Sequence, residues 1–308
     1  MNTQSNAMPE FDSQRIPPAV LAATRPFYWS VRRELWENRS IYMAPLAAGG
    51  LFLFGFLISL VGLPHKMRGL AVLDPEHQRH VITMPYHFAA GLLMATALIV
   101  SVFYSLDALY GERRDRSILF WKSLPVSDFT TVLAKAVIAI VLMPLLAFAI
   151  TVPLQLMMLL LSSAVVAGSG QSVATLWTQV AWFQMSLMLF YHLVTIHILW
   201  HAPIYSWMLL VSGWARRAAF LWAFLPPLAI GIVEKIAFNT TYFAKLLGNR
   251  LAGGPEAMSF PEDGLPIDPG MHLTPGHFVA SPGLWLGLGV AAIFLAAAVR
   301  MRRDRGPL

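Results

Sequence analysis

Residues 136–215 read AVIAIVLMPLLAFAITVPLQLMMLLLSSAVVAGSGQSVATLWTQVAWFQMSLMLFYHLVTIHILWHAPIYSWMLLVSGWA, eighty residues without one Asp, Glu, Lys or Arg. One membrane crossing needs about twenty predominantly apolar residues, so this block is long enough for two. The polar stretch Ser162–Gln179, containing Gly168-Ser169-Gly170-Gln171, divides it into a third and a fourth span. Further charge-free stretches lie on either side. Ser40–His65 gives a first span at Ile41–Leu63, and His80–Leu106 gives a second at Phe88–Leu109. Beyond Arg216-Arg217, Ala218–Val233 forms a short fifth span. Pro26-type helix starts aside, prolines inside a span kink it, so Pro226-Pro227 are expected to interrupt this one. A sixth span, Leu284–Val299, stops at Arg300, Arg302, Arg303 and Arg305. The predicted fold class is an all-α membrane protein with six transmembrane helices.

Composition agrees with this reading. Of the 308 residues 57% are hydrophobic and 12% charged, whereas soluble domains carry about 25% charged residues. The chain has no cysteine, which excludes a disulfide framework and a thiolate metal site. The net charge of +6 raises the question of nucleic acid. The basic residues flank apolar runs instead of forming one patch, so they are expected to set orientation and meet lipid headgroups, with no nucleic-acid partner.

The positive-inside rule orients the chain. With the N terminus inside, the inner segments hold Arg15, Arg25, Arg32, Arg33 and Arg39, then Arg113, Arg114, Arg116 and Lys122, then Arg216 and Arg217, then the C-terminal arginines. The outer loops hold Lys66, Arg68, Arg79, Lys235, Lys245 and Arg250. Both termini are thereby predicted to be cytosolic. Residues 1–25 read as a cytosolic leader and 26–39 as an amphipathic interfacial helix. Residues 40–308 read as the membrane domain, with a cytosolic loop at 110–130 and a large outer loop at 235–282. That outer loop is rich in Gly and Pro, carries Glu256, Glu262, Asp263 and Asp268, and begins with a possible short helix at Ile236–Leu247.

Four features carry candidate chemistry. In the segment Pro26–Arg39, Phe27, Val31 and Leu35 recur at i, i+4 and i+8, while Arg33, Glu34 and Glu37 lie on another face. Trp29 and Trp36 are typical interface anchors, which favours an interfacial helix over a plain extension of the first span into water. In the loop between the second and third spans, the charged run Glu112, Arg113, Arg114, Asp115, Arg116 and Ser117 precedes an apolar patch, Ile118, Leu119, Phe120 and Trp121. A short helix exposing that patch needs a partner, either the bilayer surface or another protein; by composition alone an ordinary basic membrane-proximal loop fits equally well. Leu124-Pro125 and Ser127-Asp128 follow, and the latter can cap the third span. His197 and His201 stand at i, i+4 in the fourth span with no acid between them, so they read as gate or pathway candidates or as neutral imidazoles bonded within the bundle, rather than as metal ligands; His65, His77, His80 and His87 form a similarly unspecific outer group. Glu234-Lys235 lies at the outer end of the fifth span, as a gate or pathway candidate or as a plain interfacial pair. Asp107 is placed to pair with a neighbouring arginine.

The order Glu112-Arg113, Ser117, an apolar stretch, Leu124-Pro125-Val126-Ser127 and then Lys135 entering the next span resembles the ABC-2 family of ATP-binding-cassette permeases. So do the six spans, the amphipathic helix before the first and the large loop between the fifth and sixth. Ala202-Pro203-Ile204-Tyr205-Ser206-Trp207, Ser212-Gly213-Trp214-Ala215-Arg216-Arg217 and Leu225-Pro226-Pro227 look like the corresponding region of bacterial members. The resemblance covers most of the chain from Pro26 onward. It implies a bacterial inner-membrane exporter subunit that pairs with a second permease subunit and with cytosolic ATPase subunits. The segment Glu112–Trp121 would be a coupling helix docked on the ATPase, and the outer loop would help form an external gate.

The chain has no Gly-x-x-x-x-Gly-Lys-Ser/Thr phosphate loop, and none of its five lysines follows a glycine. ATP and Mg²⁺ would therefore belong to the partner, with no cofactor in this chain. Two other classes fit less well. An ion-coupled secondary transporter usually places acids or broken helices at mid-membrane, whereas Asp107 and Glu234 sit at span ends. A membrane-embedded enzyme would show a His-Glu-x-x-His pair, a Gly-x-Ser-x-Gly elbow or an intramembrane aspartate pair, and none occurs.

Overall fold

The computed structural model describes residues 25–70, 74–254 and 275–307. Among them the chain is helical, with no strand. In chain order the elements are α1 (Pro26–Glu37), α2 (Ser40–Leu60), α3 (Leu63–Leu70), α4 (Pro75–Ala108), α5 (Tyr110–Arg114), α6 (Ile118–Ser123) and α7 (Asp128–Gly168). Then come α8 (Ala174–Val180), α9 (Trp182–His192, continuing as a π-helix over Leu193–Trp200), α10 (Ala202–Trp214), α11 (Ala219–Phe238), α12 (Tyr242–Ala252), α13 (Pro275–Ala280) and α14 (Pro282–Asp304). Six stretches are long and apolar enough to cross a membrane: Ser40–Leu60, Pro75–Arg114, Asp128–Gly168, Ala174–Trp200, Ala219–Phe238 and Pro282–Asp304. The chain is a multi-pass membrane protein.

The middle of the bundle is α4. Half of its most apolar window is buried, against 11% for α11. It packs on α2, α7 and α10, and its contact face carries the buried small residues Ala89, Ala90 and Ala97. Between lipid-embedded helices there is no hydrophobic drive to associate, and small residues let backbones approach closely enough for dispersion to hold them. One core joins Phe56, Tyr86, Leu93, Met158 and Leu159 with Met67 and Leu70 of α3. A second, at the opposite end of the bundle, joins Ile41, Tyr104, Ile138, Met143, Tyr205 and Leu209. Alongside, α10 and α14 run parallel, with Gly283 near Trp200 at their starts and Gly213 against Ala298 and Met301 at their ends.

The spans differ from their sequence-based limits in instructive ways. The second starts at Pro75 rather than Phe88, because Asp74 accepts a bond from the His77 N–H and caps it there. Its α4 portion of 34 residues, at about 1.5 Å each, reaches about 51 Å and outruns a hydrocarbon core of about 30 Å. Arg79 therefore sits beyond the apolar stretch. The third begins at Asp128, capped by the Ser127 hydroxyl, which accepts from Thr130 N at 3.0 Å. The break between third and fourth spans falls at residues 169–173, with Ser162 inside α7. Two π-helical turns, Ile138–Leu142 and Leu193–Trp200, each stop shortly before a proline, Pro144 and Pro203. Such bulges re-register the backbone bonding where a proline supplies no N–H.

The fifth span is not interrupted. α11 runs through Pro226 and Pro227 to Phe238. Pro227 frees the carbonyl of Ala223, and Trp207 Nε1 donates to that oxygen at 2.9 Å, so a neighbouring helix replaces the lost bond. The short outer helix is displaced from Ile236–Leu247 to α12, Tyr242–Ala252, after a turn at Asn239. The leader, apart from Arg25, and residues 255–274 with Glu256, Glu262, Asp263 and Asp268 lie outside the described residues.

Candidate functional site

The arginine-rich end of the bundle gathers a buried ion cluster from four separate elements. Glu34 on α1 is 2% exposed, Glu112 on α5 9%, Lys135 on α7 2% and Arg302 on α14 4%. Lys135 Nζ lies 2.6 Å from Glu34 Oε1 and 3.2 Å from Glu112 Oε1. Arg33 Nη2 reaches the same two oxygens at 2.6 and 3.2 Å. Arg302 holds the other oxygen of Glu112 at 3.1 Å and pairs with Asp128. The Tyr104 hydroxyl donates to Glu34 Oε2 at 2.9 Å. Three cations, Arg33, Lys135 and Arg302, face three carboxylates, Glu34, Glu112 and Asp128, so the group carries no net charge. That balance makes its burial tolerable, because an unpaired buried ion costs several kcal/mol (about 3–5).

The electrostatics follow from the geometry. Burial alone would push the Glu34 carboxyl up, but Lys135 and Arg33 outweigh it and hold the group below its usual range. Burial would lower the Arg33 guanidinium, but Glu34, Glu37 and Glu112 outweigh it and raise its pKa. Arg33 also lies 3.8 Å over the ring of Trp121, so α6 is attached to the cluster through a cation–π contact.

The loop 110–128 is further tied to helix ends. Arg113 Nη1 donates to the Gly213 and Ala215 carbonyls at 2.8 and 3.0 Å, and Arg305 Nη1 to that of Trp214 at 2.8 Å. These are the orphan carbonyls at the C-terminus of α10, where positive charge is favoured. The Ser212 hydroxyl accepts from the Leu109 and Tyr110 N–H groups at 2.9 and 2.8 Å, fixing the bend between α4 and α5. Lys122 Nζ donates to Arg303 O at 3.2 Å, at the end of α14.

The predicted coupling segment thus divides in two. Glu112, Arg113 and Ile118 are buried and hold the loop to the bundle. Ser117 donates to Glu112 O at 3.4 Å, and Trp121 is half-buried beneath Arg33. Arg114, Asp115, Arg116, Leu119 and Phe120 face outward, the last two each 60% exposed. Arg114 pairs with Asp115 at 2.9 Å and reaches Asp107 at 3.7 Å, the partnership expected for Asp107.

The other candidates lie elsewhere. His197 and His201 have ring centroids 5.4 Å apart, and His201 Nε2 is bonded to Leu251 O at 3.3 Å. Among the described residues no group of three His, Cys, Asp or Glu is arranged to hold a metal. Glu234 does not pair with Lys235. Its carboxylate accepts from Thr240 Oγ1 (2.8 Å), Tyr242 N (2.6 Å) and Phe243 N (2.8 Å), capping α12. Lys235 donates to Asn239 Oδ1 at 2.8 Å.

Sequence reasoning missed two groups. The first is the cluster itself: periodicity placed Glu34 on a polar face, whereas it is the buried residue of α1. The available signal was an ionisable residue at the edge of an uncharged span, Lys135 directly before the eighty-residue block. The second is Arg250, which lies 4.0 Å over the Trp200 ring and donates to Trp200 O and Gly283 O at 3.2 and 2.7 Å. It pins α12 to Trp200, where the π-helical turn ends, and to the start of the sixth span. No family profile, no curated protein and no solved structure matches the chain.

Proposed function

We propose that this chain is the membrane-spanning permease subunit of an ABC-2 type transporter, an exporter driven by a separate cytosolic ATPase. One observation carries the reading. An exposed patch of mixed charge and large apolar side chains, Arg114, Asp115, Arg116, Leu119 and Phe120, is fixed to the ends of α4, α10 and α14. A protein docked on that patch would push on a part that cannot yield locally, so its motion would pass into three spans and, through Glu112 and Arg33, into α1. Hydrogen-bonded ion networks and rigid helices are the physical means by which such coupling travels.

On this reading the arginine-rich end faces the cytosol of a bacterial cell, with both termini there. A second permease subunit completes the pathway. ATP and Mg²⁺ are bound by the motor, and this chain hydrolyses nothing. The test is affinity purification from native membranes, followed by identification of associated proteins. Recovery of an ATPase that is lost with Phe120→Glu supports the proposal. Transport by the purified chain alone, without an ATPase, would overturn it.

A further inference from the structure

The two adjacent arginines of α1 direct their guanidinium groups to different surroundings. Arg33 turns inward and is neutralised by Glu34, Glu37 and Glu112. Arg32 turns outward, and among the described residues it pairs with no carboxylate. Its guanidinium carbon lies 5.1 Å from the ring centre of Trp29 and 4.8 Å from that of Trp36. The indoles are 53% and 69% exposed. Trp29, Arg32 and Trp36 follow one another at i, i+3 and i+7, which is a single stripe along a helix, and Arg25 is the residue just before the helix begins. Glu34 lies on the opposite side, buried in the bundle.

This stripe has the position and the charge of a lipid contact. α1 ends at Glu37 and the apolar span α2 begins at Ser40, so the stripe lies level with the start of the hydrocarbon. Exposed tryptophans collect at that depth because one part of the ring is apolar and the N–H is polar. A guanidinium stacked between two rings has its planar fork of donors pre-organised, the arrangement suited to a phosphate. Arg25 and Arg39, both exposed, add positive charge at the two ends of the stripe. The only carboxylate on α1 outside the buried cluster, Glu37, is taken up by Arg33.

We propose that the stripe binds the phosphate headgroup of an anionic phospholipid, with Arg32 as the direct contact and Trp29 and Trp36 holding it in place. An anionic headgroup is favoured over a zwitterionic one because the stripe offers uncompensated cations and no acid to receive an ammonium. This inference does not rest on the transport reading.

The test uses the full chain reconstituted in phosphatidylcholine bilayers with spin-labelled phosphatidylglycerol or spin-labelled phosphatidylcholine as probe. The motionally restricted fraction gives the relative association of each lipid. A preference for phosphatidylglycerol is expected, and it should weaken as salt is raised. Arg32→Gln should lower that preference by about fivefold, the effect of one basic residue at an anionic surface. Trp36→Ala, which leaves the charge in place but removes one ring of the clamp, should lower it less. Equal association of the two lipids with the unaltered protein, or an undiminished preference in both variants, would overturn the proposal.

Discussion

Lys135→Met removes the cation that lies between two buried carboxylates. Its Nζ is 2.6 Å from Glu34 and 3.2 Å from Glu112, and its side chain is 3% exposed. Without it, two guanidinium groups face three carboxylates, and one buried negative charge has no counterpart. Truncating one partner of a buried pair costs about 3–5 kcal/mol, and that is the expected loss in free energy of unfolding. Glu34→Gln on the same background restores the balance to two against two while keeping the side-chain shape. The double variant should therefore be less destabilised than the sum of the two single variants, by at least about 1.5 kcal/mol, the lower range of coupling between close charge pairs. Reversible unfolding of all four proteins in mixed micelles measures the cycle. If the effects add to within about 0.5 kcal/mol, as they do for independent sites, the ion cluster is not a coupled unit and the reasoning fails.

Three further outcomes are expected. Because the folded pKa of Glu34 lies below its ordinary value of 4.5, its stabilisation is complete above that value and is lost as pH falls through the lower folded one. Glu34→Gln should thus flatten the acid decline below pH 4.5 and leave the slope between about pH 5 and 8 unaltered; an altered slope in the neutral range would contradict this. Gly254→Ala should cost about 1–3 kcal/mol, because at φ +70° a Cβ would lie 2.3 Å from the Trp200 ring, and hydrogen exchange should show α12 loosened; unchanged protection there would refute the contact. Glu234→Gln should weaken the α12 cap, speeding exchange at residues 240–243 alone, and a change spread through the bundle would argue against a purely local role.

The spans were legible because lipid imposes a harsh rule: charge is expelled, so an uncharged run marks a crossing. The cap at Ser127 and the pairing of Asp107 were legible for a related reason, since both are settled by near neighbours. The cluster was not. Lys135 and Glu34 are 101 positions apart, and Arg302 and Glu112 are 190 apart, so no local pattern records their meeting. Helical periodicity assigned Glu34 to the polar face of α1, whereas Glu34 is buried against Lys135 while Val31 and Leu35 also pack on the core. The continuity of α11 depended likewise on Trp207, a residue of another span. The division of the segment Glu112–Trp121 into holding residues and an exposed patch follows from tertiary packing alone.

The absence of cysteine from the chain allows a direct test of the docking patch. Single cysteines placed in turn at positions 112–120, in native membranes, would be treated with a short thiol-to-amine cross-linker and the adducts identified. The proposed role expects adducts with an ATPase from positions 114, 115, 116, 119 and 120, which face outward, and none from 112, 113 or 118, which are buried. An absence of ATPase adducts from every exposed position, with the cysteines shown to be reactive, would contradict it.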